Sequence, residues 1–117
     1  MGQDEPERRE AKSFDISFLD LYQLLELFVT LLSEQAWRNM GLRVDPRTNE
    51  IKKDFEKAHV AIDSIISIVD KLEPNVTEDV KSHLRSIISD LQINYVRQLE
   101  ENNTSSKVEE NVASNKD

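Results

Sequence analysis

Apolar residues recur with helical spacing in three stretches of the chain, and these stretches predict three helices. They lie at about residues 17–40, 51–72 and 77–100. Residues 41–50, between the first two stretches, contain the turn-favouring run from Asp45 to Asn49. Neighbouring helices that are joined by short links usually pack antiparallel. The pattern therefore predicts an all-α fold, a three-helix antiparallel bundle over residues 14–100.

The first predicted helix is apolar around more than half of its circumference. Ser17, with Asp20 three residues later, can cap its start, and Gly41 can adopt the left-handed conformation at its end. At about 100° per residue, ten side chains fall on the predicted core side: Phe18, Leu21, Tyr22, Leu24, Leu25, Phe28, Val29, Leu31, Leu32 and Ala36. Leu19, Leu27 and Trp37 fall outside this arc, so we expect these three residues to form an interaction surface.

The second predicted helix has the most regular pattern. An unbroken 4-3 spacing runs through Ile51, Phe55, Ala58, Ile62, Ile65, Val69 and Leu72. Such spacing is typical of a helix packed inside a bundle, which we favour, and also of a dimeric coiled coil. Pro74 ends the helix.

The third predicted helix begins after Thr77, where Glu78 and Asp79 suit the positive end of a helix dipole. Its narrower stripe consists of Val80, Leu84, Ile87, Ile88, Leu91, Tyr95 and Leu99. Residues 1–13 and 101–117 contain little apolar surface, and we expect both tails to be disordered.

Composition narrows the classes of function. The 117 residues carry a net charge of −8, which argues against nucleic acid and anionic membranes as partners. No Cys is present, so the chain has no disulfide and no thiolate metal site. The apolar run Phe18–Leu32 has 15 residues, fewer than the roughly 20 that span a bilayer. The first residues do not resemble a signal peptide, so we expect a cytoplasmic protein.

Candidate chemistry is sparse. His59 and Asp63 are four residues apart and share a helix face, and His83 lies on another predicted helix. Together the three residues are weak candidates for a metal site, although surface histidines beside a carboxylate explain the same pattern. We predict no catalytic residue, no cofactor and no assigned metal site.

An ordered set of short motifs resembles a known family. The motifs are Leu32-Ser33-x-x-Ala36, Met40-Gly41, Asp45-Pro46-x-Thr48, Asp54-x-x-Lys57-Ala58-x-x-Ala61-Ile62-Asp63, Asn75-Val76-Thr77 and Asp90-Leu91-x-x-Asn94-Tyr95-Val96. Over about residues 18–97 the chain resembles the domain of unknown function numbered eighteen-forty-four, a family of small bacterial proteins. The resemblance implies a helical, bacterial, cytoplasmic protein, and it transfers no catalytic residue.

Asp63 and Tyr95 within these motifs have two interpretations. Both can line a binding surface. Alternatively, Tyr95 covers the end of the bundle and Asp63 accepts a hydrogen bond from a neighbouring loop or helix end. We favour the second interpretation.

Two hypotheses of function follow. The first is a noncatalytic helical interaction module that forms a homodimer, because a core of three short helices is small for so apolar a first helix. A different protein as the partner is a variant of this hypothesis. The alternative is a small metal-dependent or hydrolytic enzyme that uses His59, Asp63 and His83.

Overall fold

The chain folds into three α-helices. A computed structural model describes the backbone of residues 15–115 and the side chains of residues 15–104. The helices are α1 (Leu21–Asn39), α2 (Phe55–Leu72) and α3 (Glu78–Asn115), and short 3-10 turns precede α1 and follow α2. Apart from one isolated bridge between Asp45 and Glu50, residues 15–115 contain no β-structure. The predicted all-α, three-helix antiparallel bundle is confirmed.

The start of α1 differs from the prediction. The helix begins at Leu21, and Ile16–Phe18 before it forms a separate 3-10 turn. Asp20 is the N-cap: its carboxylate accepts a hydrogen bond from the Gln23 amide at 2.9 Å. The Gln23 side chain in turn accepts from the Asp20 amide at 3.0 Å. Asp20 and Gln23 therefore close a capping box, and Ser17 is not the cap of this helix.

The link between α1 and α2 fixes their antiparallel arrangement. Met40, the C-cap of α1, is completely buried, and Gly41 after it has a φ of +85°. The amide of Asp54, just before α2, donates a hydrogen bond of 2.8 Å to the carbonyl of Asn39. Because this bond joins the end of α1 to the beginning of α2, the two helices run in opposite directions side by side.

α2 supplies most of the core. It begins at Phe55 with Asp54 as N-cap, whereas Ile51, where we expected its start, is 57% exposed. Six of its side chains are buried: Ala58, Ala61, Ile62, Ile65, Val69 and Leu72. From Ala58 to Leu72 the 4-3 stripe of α2 therefore lies inside the bundle, as the favoured interpretation required, and this part is not available to pair with a second chain.

α3 returns along α2. The Thr77 hydroxyl accepts a hydrogen bond of 3.3 Å from the Val80 amide at the helix start. Leu84 and Leu91 are buried against the other two helices. Tyr95 lies edge-on to Phe55, with ring centroids 6.1 Å apart, so the middle of α3 reaches the beginning of α2.

α3 is longer than we expected. The helix continues to Asn115, whereas we expected it to end at about residue 100. Adding a residue to an existing helix costs far less than nucleating one, which lets residues with weak helix propensity join it. The predicted disordered segment 1–13 lies outside the described residues.

The core is apolar throughout its described part. Eleven residues are buried: Val29, Ala36, Met40, Ala58, Ala61, Ile62, Ile65, Val69, Leu72, Leu84 and Leu91. Among residues 15–104, no polar or charged residue is buried. In the part of the chain that the structure describes, no helix has the length and apolar character to cross a membrane.

Candidate functional site

One side of α1 presents apolar side chains to solvent. Leu21 is 60% exposed, Phe28 40% and Leu31 53%, and Leu24 between them is half-buried. We call these four residues the outer face of α1. Phe18 lies just before it in the 3-10 turn and is 86% exposed. The outer face is the clearest candidate surface for a partner on the described part of the molecule.

The outer face lies away from the core because α1 has one main neighbour. Val29 and Ala36 are the buried residues of α1, and the outer face points about 110° away from them around the helix axis. α1 packs extensively against α2 but touches α3 at few points. A single neighbour covers only one stripe of a helix. The prediction that Leu21 and Phe28 belong to the core side is therefore wrong.

The three residues predicted to form an interaction surface are all partly buried, and the interaction surface stays a prediction. Leu19 follows the 3-10 turn and is half-buried, as is Leu27 on α1. Trp37 packs against the core and, with His83 and Ile87 of α3, lines a groove of about 240 Å³. Trp37 thus faces α3, and the three most exposed apolar residues of α1, Leu21, Phe28 and Leu31, belong to the outer face. The outer-face residues have a 3-4-3 spacing in the sequence, but all four fall within the arc that we predicted to face the core.

The candidate metal ligands do not come together. His59 Nε2 lies 3.3 Å from Asp63 Oδ2 on the surface of α2, where both side chains are more than half exposed. His59 is near Tyr95, with ring centroids 6.0 Å apart. His83 precedes Tyr95 by 12 residues on α3, which is about 18 Å along a helix. Among the described residues, no group of three His, Cys, Asp or Glu side chains is arranged to hold a metal ion.

Tyr95 and Asp63 have different surroundings. Tyr95 is half-buried against the core and contacts both Phe55 and His59, which agrees with the interpretation that it covers the bundle end. Asp63 pairs with His59 on its own helix. We favoured the interpretation that Asp63 accepts a hydrogen bond from a loop or a helix end. Among the described residues it accepts no such bond.

The connector between α1 and α2 is organised by Asp45. Its carboxylate accepts hydrogen bonds from the Arg47 amide at 2.9 Å and from Arg47 Nη2 at 3.0 Å. Its carbonyl accepts from Asn49, which has a φ of +59°, and its amide donates to Glu50. The hydrogen bonds from the Arg47 side chain and amide lower the pKa of Asp45 to about 2. The carboxylate is consequently ionised at every physiological pH.

A cleft of about 600 Å³ opens beside this connector, at the end of the bundle where α1 ends and α2 begins. Six cationic side chains line it: Arg38, Arg43, Arg47, Lys52, Lys53 and Lys57. The sequence contained a signal for this site that we missed, since these six are among only 15 basic residues and all lie between positions 38 and 57. They are distributed over the first predicted helix, the link after it and the second predicted helix, so no single element carries the whole cluster.

Comparison with known proteins identifies the family. A sequence model described as Domain of unknown function (DUF1844) matches residues 22–97, well over half of the chain. The chain therefore belongs to this family, and the resemblance seen in the short motifs is confirmed. No curated protein and no solved structure matches the chain.

Proposed function

We propose that this member of the DUF1844 family is a noncatalytic helical module that forms a homodimer through the outer face of α1. The observation that carries the proposal is the set of exposed apolar side chains at Leu21, Phe28 and Leu31. Contiguous apolar surface on a small protein marks a site of association, because covering it removes apolar area from water.

The spacing of the outer face supports a helix as its occupant. Leu21, Leu24, Phe28 and Leu31 follow one another at intervals of three, four and three residues. These are the intervals between the a and d positions of a coiled coil, which turn toward one partner helix along their whole length. Phe18 adds a large apolar side chain immediately before this stripe.

The charges of α1 support a second copy of the same chain in antiparallel orientation. Asp20 is the N-cap of α1, Asp15 lies five residues before it, and Arg38 lies in the last turn of the helix. In an antiparallel pair, the acidic beginning of each helix lies beside the basic end of the other, and the helix dipoles oppose each other favourably. A symmetric pair also uses one stripe twice, since residue i contacts residue j and j contacts i.

The mass of the protein in solution tests this proposal. Light scattering coupled to size exclusion is expected to give about twice the chain mass of 13.5 kDa at tens of micromolar protein. The double variant Leu21→Gln/Leu31→Gln removes the two most exposed residues of the outer face and is expected to be monomeric.

A matched control keeps the test specific. Val60 on α2 and Ile93 on α3 are 57% and 55% exposed, close to the exposure of Leu21 and Leu31, but they lie on other helices. Val60→Gln/Ile93→Gln is expected to remain dimeric. The helical circular dichroism of all three proteins is compared, so that unfolding of a variant is not mistaken for loss of the dimer interface.

Three outcomes contradict the proposal. A monomeric natural chain at about 100 µM excludes useful self-association, since this concentration detects dissociation constants well into the micromolar range. A dimer that survives Leu21→Gln/Leu31→Gln has its interface elsewhere. The third outcome is a monomeric chain that binds a helix of a different protein, with that binding abolished by Leu21→Gln/Leu31→Gln. The outer face is then the binding surface, but its occupant is not a second copy of the chain.

The alternative hypothesis of a metal-dependent or hydrolytic enzyme has no specific observation in its favour, because His83 is remote from His59 and Asp63. Localisation in the cytoplasm of a bacterium stays a prediction.

A further inference from the structure

We propose that the cleft beside the connector binds a small molecule that carries two or more linked phosphate groups. The end of α1, the connector and the first turn of α2 form its walls. Its volume of about 600 Å³ lies within the range of roughly 300–1,000 Å³ that is typical of small-molecule sites. Six of the ten Lys and Arg residues between positions 15 and 104 line it, on a chain with a net charge of −8.

Carboxylates pair with three of the six cations of the cleft: Arg47 with Asp45, Lys57 with Asp54 and Arg43 with Glu34. Asp45 is held by Arg47, and Asp54 accepts the Lys57 amide at 3.1 Å as the N-cap of α2. Outside the cleft lining, Glu34 pairs with Arg43. Among the described residues, the charged groups of Arg38, Lys52 and Lys53 form no ion pair. At least three cations are therefore available to an anion.

The cations are attached to ordered backbone. The hydrogen bond from the Asp54 amide to the Asn39 carbonyl joins the two helices that form the walls. The aliphatic part of Lys53 lies so close over Gly41 that a Cβ at position 41 would come within 2.7 Å of it. The beginning of α2 adds the positive end of a helix dipole. A site whose donors are already positioned loses little conformational entropy when the ligand binds.

The chemistry of the lining favours phosphate. Arginine offers a planar set of donors that matches phosphate oxygens, and lysine contributes a mobile point charge. One phosphate group carries too little charge to neutralise three available cations, whereas two or three linked groups match them. None of the side chains that line the cleft is aromatic, so the recognition we infer concerns the phosphates and not a stacked base.

The overall charge of the protein favours a compact ligand over a long polyanion. A nucleic acid lying in the cleft would extend across neighbouring surface, which is acidic on average because the chain has 23 acidic and 15 basic residues. A small oligophosphate contacts the cleft alone.

Isothermal titration of the full chain at low ionic strength tests the proposal, with inorganic tripolyphosphate and ATP as separate probes. Both are expected to bind. Lys52→Gln/Lys53→Gln is expected to weaken tripolyphosphate binding by at least about tenfold, because each lost charge-assisted hydrogen bond contributes about that factor. Equal affinities for the two probes identify phosphate as the recognised group, and tighter binding of ATP identifies a nucleotide; both results support the site.

Lys71→Gln/Lys81→Gln is the matched control. It makes the same change of charge at the other end of the bundle, in the last turn of α2 and the first turn of α3. It is expected to change the affinity by less than about twofold, because exposed charges so far away are largely screened.

The proposal is overturned if tripolyphosphate at about 1 mM gives no binding. It is also overturned if the control weakens binding as much as Lys52→Gln/Lys53→Gln does, since attraction is then not localised in the cleft. A single-stranded oligonucleotide that binds more tightly than tripolyphosphate would equally contradict a small-molecule site. Leu21→Gln/Leu31→Gln, which is expected to be monomeric, is expected to bind tripolyphosphate at least as tightly as the natural chain, because acidic residues of a partner chain no longer lie beside Arg38. Binding that is retained in this variant separates the cleft from the proposed dimer.

Discussion

α1 and α2 have nearly the same length and use their apolar residues differently. α2 has 18 residues, six of them buried on one regular stripe. α1 has 19 residues and only two buried ones, Val29 and Ala36, although it contains many more large apolar side chains than those two. α2 lies between α1 and α3, whereas α1 packs mainly against α2. The difference teaches that a helix with ample apolar surface needs two neighbours to cover it, and α1 has one within its own chain.

The largest expected effect distinguishes the two helices directly. Ile65→Ala removes a fully buried side chain from the middle of α2 and is expected to lower the free energy of unfolding by about 2–5 kcal/mol. Leu31→Ala on the outer face is expected to lower it by less than about 0.5 kcal/mol at low protein concentration. Urea unfolding of both variants measures the difference. Similar losses for the two variants at low concentration would mean that Leu31 belongs to the core.

The second prediction concerns the junction of the two helices. Gly41→Ala is expected to lower the free energy of unfolding by about 1–2 kcal/mol, because Gly41 has a left-handed φ of +85°. The new methyl group would also displace Lys53. Thermal unfolding monitored by circular dichroism measures the loss. A conformationally tolerant Gly41→Asn variant is expected to lose less than the alanine variant, and the reverse order would contradict the backbone explanation.

The residues of α2 show why much of the fold could be predicted. Ala58, Ile62, Ile65, Val69 and Leu72 make one narrow stripe, and all five are buried inside the bundle. Leu21, Phe28 and Leu31 share the angular range of a broad apolar arc with residues that do reach the core. Which part of such an arc is covered depends on the positions of other helices, and the spacing along one helix does not contain that information.

The candidate cleft escaped prediction for a related reason. Arg38 and Lys52 are far apart along the chain and become neighbours because the Asp54 amide bonds to the Asn39 carbonyl. Four acidic residues lie among these cations in the sequence, so no short stretch of it is strongly basic: Asp45, Glu50, Asp54 and Glu56. The N-cap of α1 was more accessible: Asp20 followed by Gln23 is a recognisable capping box, and we placed the cap one turn earlier.

A smaller effect is expected at the beginning of α1. Asp20→Ala removes the carboxylate that accepts the Gln23 amide and is expected to cost about 1 kcal/mol of stability. Because Leu21 is mostly exposed, the unfolding is expected to be local, with faster hydrogen exchange in the first turns of α1 and unchanged exchange in α2. Increased exchange in the middle of α2 would show that the beginning of α1 supports the shared core.

The smallest effect on stability is expected from the connector. Arg47→Gln removes the side-chain hydrogen bonds that lower the pKa of Asp45 from 3.8 to about 2. The folded pKa is below the unfolded one, so the contribution of this pair is present above about pH 4 and disappears as the pH falls toward 2. Carbon-detected NMR titration of the Asp45 carboxyl group is expected to give a midpoint near 2, and a higher midpoint that stays below 3.8 in the variant, because the backbone amide at position 47 still donates to the carboxylate. An unchanged midpoint would exclude Arg47 as the cause.

The hydrogen bond between the Asn39 carbonyl and the Asp54 amide has a consequence for how the family can vary. It closes residues 40–53 into a loop whose two ends are fixed beside each other. Lengthening a loop whose ends are already held costs little entropy. Relatives can therefore acquire insertions in this loop while α1 and α2 keep their register, and we expect such insertions between the motifs Met40-Gly41 and Asp45-Pro46-x-Thr48 or between Thr48 and Asp54.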